Sequence, residues 1–241
     1  MGETMRSHKW MHASVLTALF AMQATVSNAE PRIGMAASTR PNAEAVGVGS
    51  TQTLSAGSEV FANQTVRTGN RGMADLVFLD KTNLSVGPTS EVRLDKFVYD
   101  PNGSAGSVAI QATRGSFRWV TGSQAKHAYQ VSTPHGTLGV RGTTVELLVN
   151  KPGEDCVTKL RLVEGKADYK IAKTGKIARL EDPNRNNVAC IDANGNVTYS
   201  TSSQSILGFS TSEGPPPPPG IPGVGTTPIT PPPIVSPTAP L

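Results

Sequence analysis

Cysteine, aromatic residues and histidine are all scarce in this 241-residue chain. Its two cysteines, Cys156 and Cys190, stand apart, without the C-x-x-C spacing or nearby histidine that a zinc centre or a redox pair needs. Aromatic residues make up 5% of the chain. Lys and Arg exceed Asp and Glu by four (22 − 18), spread along the chain with no basic run. Basic stretches interleaved with aromatics are therefore missing, and nucleic acid is not an expected partner. Past residue 29 only His127 and His135 remain, and no G-x-S-x-G elbow presents a serine. No window past residue 29 holds a helical period with caps. Nor does any reach the roughly 20 apolar residues of a membrane-spanning helix.

What is present begins with an export pattern. Arg6, His8, Lys9 and His12 form a basic start, residues 13–26 (ASVLTALFAMQATV) an apolar stretch, and Ser27-Asn28-Ala29 a small-residue cleavage site. The spacing predicts a signal peptide over 1–29, cleavage before Glu30, and a periplasmic or secreted product. No transmembrane segment is expected after cleavage. In an oxidising compartment two cysteines predict one disulfide, Cys156 to Cys190, worth about 3–4 kcal/mol in the chain-entropy account. The other end, 214–241, is dominated by proline and has no charged residue. Each proline removes a donor and fixes φ, so this composition predicts a disordered, polyproline-type spacer over 211–241.

Between these ends, period-two alternation recurs. Ala74, Leu76 and Phe78 form one set, and Leu84 with Val86 follows a turn at Asp80-Lys81-Thr82-Asn83. Val92 and Leu94 come next, then Val108, Ile110 and Ala112, and Phe117 with Trp119. Val145, Leu147 and Val149 precede Leu160 and Leu162. Ala167, Tyr169 and Ile171 face Ile177 and Leu180 across Lys173-Thr174-Gly175-Lys176. A last hairpin is expected at Asp192-Ala193-Asn194-Gly195-Asn196, where Asn-Gly supplies positive φ. Residues 112–119 and 162–169 share one pattern: strand, charged residue, Gly, strand. The expectation is one all-β domain over 46–210, a β-solenoid-like or rolled two-sheet fold of short strands, with 30–45 as an aperiodic linker.

The densest motif is Thr133-Pro134-His135-Gly136-Thr137-Leu138-Gly139-Val140-Arg141-Gly142-Thr143. With Val66-Arg67-Thr68-Gly69, Ala74-Asp75-Leu76, the run from Asp80 to Ser90, and Arg114-Gly115-Ser116-Phe117, it resembles the FecR domain family in order over roughly 50–150. The resemblance implies a β-rich exported module that engages other proteins without catalysis. Thr68, Gly69, Pro134, Arg141, Gly142 and Thr143 carry the family motif, with structural roles. The signalling members of that family place an anti-sigma helical region and a membrane helix before this domain. Here a cleavable signal stands in their place, so the signalling role is not expected.

Enzyme chemistry finds little support. Ser116 or Ser132 with His135 and Asp75 or Asp168 could be imagined as a triad, and Asp75, Asp80, Glu146 and Glu164 as paired acids. Nothing local assembles them. The D-x-N-x-N run from Asp192 has its Gly in the wrong place for a calcium loop and reads as a turn. Arg141 reads as a tie between turns through carbonyls or a carboxylate. No cofactor or metal is expected. The expected partner is an envelope or surface protein. Alternatives are a cell-envelope glycan, bound or weakly hydrolysed, and a structural role at the surface.

Overall fold

A computed structural model describes residues 2, 30–100, 106–125 and 128–210. The expected signal apart from Gly2, His127, and the proline-rich stretch from 211 onward lie outside the described residues. Among the described residues there are 17 strands and no helix. In chain order they are β1 (Arg32–Arg40), β2 (Ala43–Gly47), β3 (Ser50–Thr53), β4 (Glu59–Phe61), β5 (Thr65–Thr68), β6 (Met73–Phe78), β7 (Asn83–Val86), β8 (Glu91–Val98) and β9 (Ser107–Val120). They continue with β10 (Tyr129–Thr133), β11 (Gly136–Val140), β12 (Thr144–Val149), β13 (Thr158–Glu164), β14 (Ala167–Ile171), β15 (Ile177–Leu180), β16 (Val188–Ile191) and β17 (Val197–Ser200).

Hydrogen bonding sets the strands in two rows. The first row runs β4-β1-β6-β7-β9-β12-β13-β16-β17 and is antiparallel throughout. The second runs β3-β2-β5-β8-β9-β10-β11-β14-β15, and only β9 with β10 is parallel. Because β9 is in both rows, the strands form one large open sheet, not closed into a barrel. From β10 on, consecutive hairpins fall alternately in the second and first rows.

The core lies between the rows. Leu76, Leu84, Phe117, Leu147 and Leu160 of the first row share one buried cluster with Val92, Ile110, Val131, Leu138 and Tyr169 of the second. Phe78 meets Phe97 across the gap with ring centroids 5.8 Å apart, and Trp119 stands edge-on to Tyr129 at 5.9 Å. Small and β-branched side chains fill a narrow space between facing pleats, which suits a chain short of aromatics.

Strand β9 explains a phase slip in the sequence. Val108, Ile110 and Ala112 are buried at even positions, then Phe117 and Trp119 at odd ones. Residues 107–114 pair in the second row with β8 and β10, and 115–120 pair in the first with β7 and β12. The slip marks where the strand crosses from one row to the other. Gly115 sits at the crossing with φ of 108°, and a Cβ there would run into Ser90. Only glycine adopts that backbone without strain. Gly165 holds the same place in the 162–169 pattern, and has φ of 79° where β13 of the first row gives way to β14 of the second.

The expected linker over 30–45 is corrected by the fold. Residues 32–47 form β1 and β2, with Ile33, Ala36, Ala43 and Ala45 buried. A register shift between Ala36 and Ser38 breaks the alternation in β1, which is why its sequence looks aperiodic. A Cβ on Gly34 would collide with Val77 O, so β1 depends on glycine to lie against β6. The hairpins read from 167–180 and 190–199 form as expected, in the registers Tyr169 to Ala178 and Cys190 to Thr198.

Candidate interaction faces

The motif residues gather where the chain passes between rows. Thr68 and Thr143 are both buried. The Thr68 hydroxyl donates to Gly87 O at 2.6 Å and accepts from Ser90 N at 3.0 Å. That of Thr143 donates to Lys166 O at 2.6 Å and accepts from Arg141 N at 2.9 Å. Gly69 N donates to Asn42 O at 2.7 Å, and Gly142 takes φ of 66° in the turn into β12. Arg141 itself is two-thirds exposed, its guanidinium 3.8 Å from Asp168 on β14. The tie between turns is therefore made by the Thr143 hydroxyl and by the backbone of Arg141. Pro134 and His135 form the β10–β11 turn, where the His135 ring meets Asn150 Oδ1 at 2.7 Å.

The imagined triad does not come together. Asp75 is on the first row, accepting hydrogen bonds from Ser38 at 2.6 Å and Ser85 at 2.5 Å. Asp168 is on the second row beside Arg141 and Arg179, and His135 bonds Asn150. Asp80 is fully buried and accepts from Thr82 N, the Thr82 hydroxyl and the Tyr129 hydroxyl at 3.0, 2.7 and 2.9 Å. Burial and then the Asp80 carboxylate push the Tyr129 phenol up to about 12. Burial also raises Tyr169. Asp192 holds its own hairpin, accepting from the Asn194 and Asn196 backbones and the Asn196 amide. The Asn196 side chain leads in keeping Asp192 below the ordinary carboxylate range. Among the described residues no group of acids, histidines or cysteines could hold a metal ion.

Sequence reading missed the outward faces, because cross-strand neighbours are far apart along the chain. On the second row Glu44, Arg67, Glu91 and Arg114 stand in direct register on β2, β5, β8 and β9. Arg67 and Arg114 each approach the same Glu91 oxygen at 3.4 Å. On the first row Asp75, Ser85, Arg118, Glu146 and Arg161 line up across β6, β7, β9, β12 and β13. Acids and arginines alternate along the second-row ladder and, on the first row, from Arg118 onward; Asp75, Ser85 and Glu146 of the first row are buried. Opposite charges across a strand pair are stabilising, and long charged side chains keep an outward face soluble.

Part of the first-row face is covered by the chain's own segment after β17. The Arg161 guanidinium donates to Ser202 O at 3.2 Å and Ser203 O at 3.0 Å, and lies 3.3 Å from Glu146. Glu146 accepts from Ile206 N at 2.9 Å, and Lys151 donates to Leu207 O at 3.3 Å. The Asn187 amide grips Ser202 through both its N–H and its C=O, at 2.8 and 2.9 Å. A Cβ at Gly87 would strike the Phe209 ring and Ser116, so the segment reaches the β7 side of the row. Beneath it Glu146 is 1% exposed, and within it Leu207 is 2% exposed.

The cysteines join the loop before β13 to β16, with Cα atoms 5.4 Å apart. Residues 64–168 match the family model described as FecR protein. This stretch of the chain is similar to a FecR domain. The FecR match begins just before β5 and ends within β14. Strands β1 to β4 and β15 to β17 extend the same two rows beyond it. Two crystal structures of a candidate anti-sigma factor from Parabacteroides distasonis ATCC 8503 are similar in shape at 11% identity, with TM-scores of 0.45 and 0.44. The alignment covers 57% of this chain, which spans 59% of each of those chains. No curated protein matches the chain. Among the described residues no helix is long and apolar enough to cross a membrane.

Proposed function

We propose that this chain is an exported, non-enzymatic FecR-domain protein that binds proteins of the cell envelope through the outward faces of its rows. One observation carries the reading. The family-motif residues Thr68, Gly69, Gly142 and Thr143 are consumed by turns, while the second-row charge ladder of Glu44, Arg67, Glu91 and Arg114 is left facing outward. Export is supported by the signal pattern of 1–29 and by the Cys156–Cys190 disulfide, which persists in an oxidising compartment. The alternate placing of hairpins in two rows is in keeping with a rolled, solenoid-like build. The proline-rich 211–241 would act as spacer or tether.

Affinity purification of the full chain from a periplasmic or surface fraction tests the reading. Specific retention of an envelope protein, lost on reversing the ladder charges Arg67 and Arg114, is the expected result. Repeated absence of any retained protein would sink it. A glycan-binding reading is weaker, because Trp119, Tyr129 and Tyr169 are buried and cannot stack on a sugar ring. Of the tyrosines only Tyr99 and Tyr199 are well exposed.

A further inference from the structure

The segment over 202–209 is held in an unusual manner for a terminal strap. The row's side chains bind its main chain: Arg161 takes Ser202 O and Ser203 O, Asn187 takes Ser202 N and O, Glu146 takes Ile206 N, and Lys151 takes Leu207 O. The strap bends at 203–204 and again over 206–209, so such contacts accept a backbone that follows the same bent path. Selectivity rests on the apolar residues Ile206, Leu207 and Phe209, with Gly208 at φ of 71° turning the chain between the last two. Leu207, with Leu148 and Val188 of the row beneath, is buried yet lies outside the central core cluster.

The chemistry under the strap points to reversible cover. A buried ion pair is weak evidence for stability, since well-packed apolar residues of similar volume often do as well or better. A strap meant only to stabilise would find firmer footing on an apolar face. Glu146 and Arg161 are the polar part of a face that also holds Leu148 and Val188, and they are bonded when covered and hydrated when bare. An apolar face stripped of its cover would be prone to aggregate.

We infer that the β12–β13–β16 part of the first-row face is a peptide-binding surface, and that residues 202–209 are its built-in competitor. The partner it fits is a bent segment presenting two bulky apolar side chains on either side of a glycine, as Leu207 and Phe209 flank Gly208. The strap must leave before such a segment can enter. This inference rests on the protein-interaction reading and names its surface and its control.

Two experiments on the full chain test it. The first is amide hydrogen exchange on the unmodified protein. The Ser202 and Ile206 amides, bound by Asn187 and Glu146, should exchange together and at least about 100-fold faster than the β12 and β13 ladder amides. Exchange of all of them in one global step would make the strap an integral part of the fold and overturn the proposal. The second measures binding of an acetylated peptide with the sequence of residues 201–210 to wild type and to Leu207→Asp. Wild type is occupied by its own strap, so the variant should bind at least about tenfold tighter. Adding Arg161→Gln to Leu207→Asp should abolish that gain. Equal binding by wild type and Leu207→Asp overturns the proposal. Should Leu207→Asp fail to fold, the exchange result on wild type decides. An envelope protein captured equally by wild type and Leu207→Asp would overturn the latch and leave the broader reading standing. An open strap that binds the peptide, with no envelope protein captured, would do the reverse.

Discussion

Thr68 and Thr143 make the same pair of bonds in two different turns. Each buried hydroxyl donates at 2.6 Å to a carbonyl of a later turn and accepts a backbone N–H within 3.0 Å. Thr68 ends β5 and Thr143 comes just after β11, both of the second row, and each precedes a strand of the first. Replacing either by valine keeps the shape and removes the hydroxyl's bonds. At Thr68 a carbonyl and an amide lose that partner, whereas at Thr143 the Arg141 amide keeps its longer bond to Lys166 O at 3.3 Å. Thr68→Val should cost about 2–3 kcal/mol in urea unfolding and Thr143→Val about 1–2 kcal/mol. A loss below about 0.5 kcal/mol for both would refute the pinning role.

The neighbouring arginine should behave differently. Arg141 pairs with Asp168 at 3.8 Å with its side chain mostly in solvent. Exposed pairs of this kind are worth about 0–1 kcal/mol. Arg141→Ala is therefore expected to leave the melting temperature nearly unchanged, well short of Thr143→Val. A larger loss from Arg141→Ala, measured in the same buffer, would restore the side chain as the tie that the sequence suggested.

Gly115→Ala tests the crossing of β9. The substitution forces a side chain onto a φ of 108° and into Ser90. Backbone strain of this kind costs about 1–3 kcal/mol, and the collision adds to it. Alanine at Gly175, which has positive φ but open space around it, provides the comparison. Gly115→Ala should be clearly the worse of the two by thermal denaturation.

Reduction of Cys156–Cys190 should destabilise the domain without unfolding its first half. The bridge spans a sequence separation of 34, for which the chain-entropy account gives about 3–4 kcal/mol. For a domain of this size the melting temperature should fall by about 10 °C on reduction. The Cys156→Ala, Cys190→Ala double variant should match the reduced protein and no longer respond to reductant.

At high pH the fold should fail through its tyrosines. Tyr129 is held protonated up to about 12, by burial first and by Asp80 second. A group whose folded pKa is raised contributes stability fully below its unfolded value near 10, and that stability is lost as pH rises through the folded value. Stability should thus decline between about pH 10 and 12, with Tyr129 ionising only as the protein unfolds. Tyrosinate absorbance followed alongside circular dichroism checks this. In Tyr129→Phe the decline should be shallower.

Much of the fold could be read from particular residues. The alternation at 74–78, 84–86 and 108–112, and the Asn-Gly turn at 194–195, gave strands and hairpins because each inward face is apolar and the last turn has the glycine its positive φ requires. Strand β1 escaped because the shift at Ala36 and Ser38 scrambles its period. The continuity of β9 was hidden by the same physics, since a strand that changes rows must change the parity of its buried residues. The motif at 133–143 revealed a family and little chemistry, its polar atoms being engaged in turns. The Glu146–Arg161 pair and the strap above it left no trace in the pattern. Their bonds run to a main chain that begins 41 residues after Arg161, and backbone contacts impose no side-chain signature.

The sharing of β9 has a mechanical consequence. Two sheets joined only by loops can shear, each sliding past the other at the cost of side-chain packing alone. Here one strand of 14 residues is hydrogen-bonded in both rows, so sliding must tear its ladder on at least one side. Tension applied through whatever lies before β1 or after the strap meets a cross-braced body, and the weakest path under load is peeling from the edges inward.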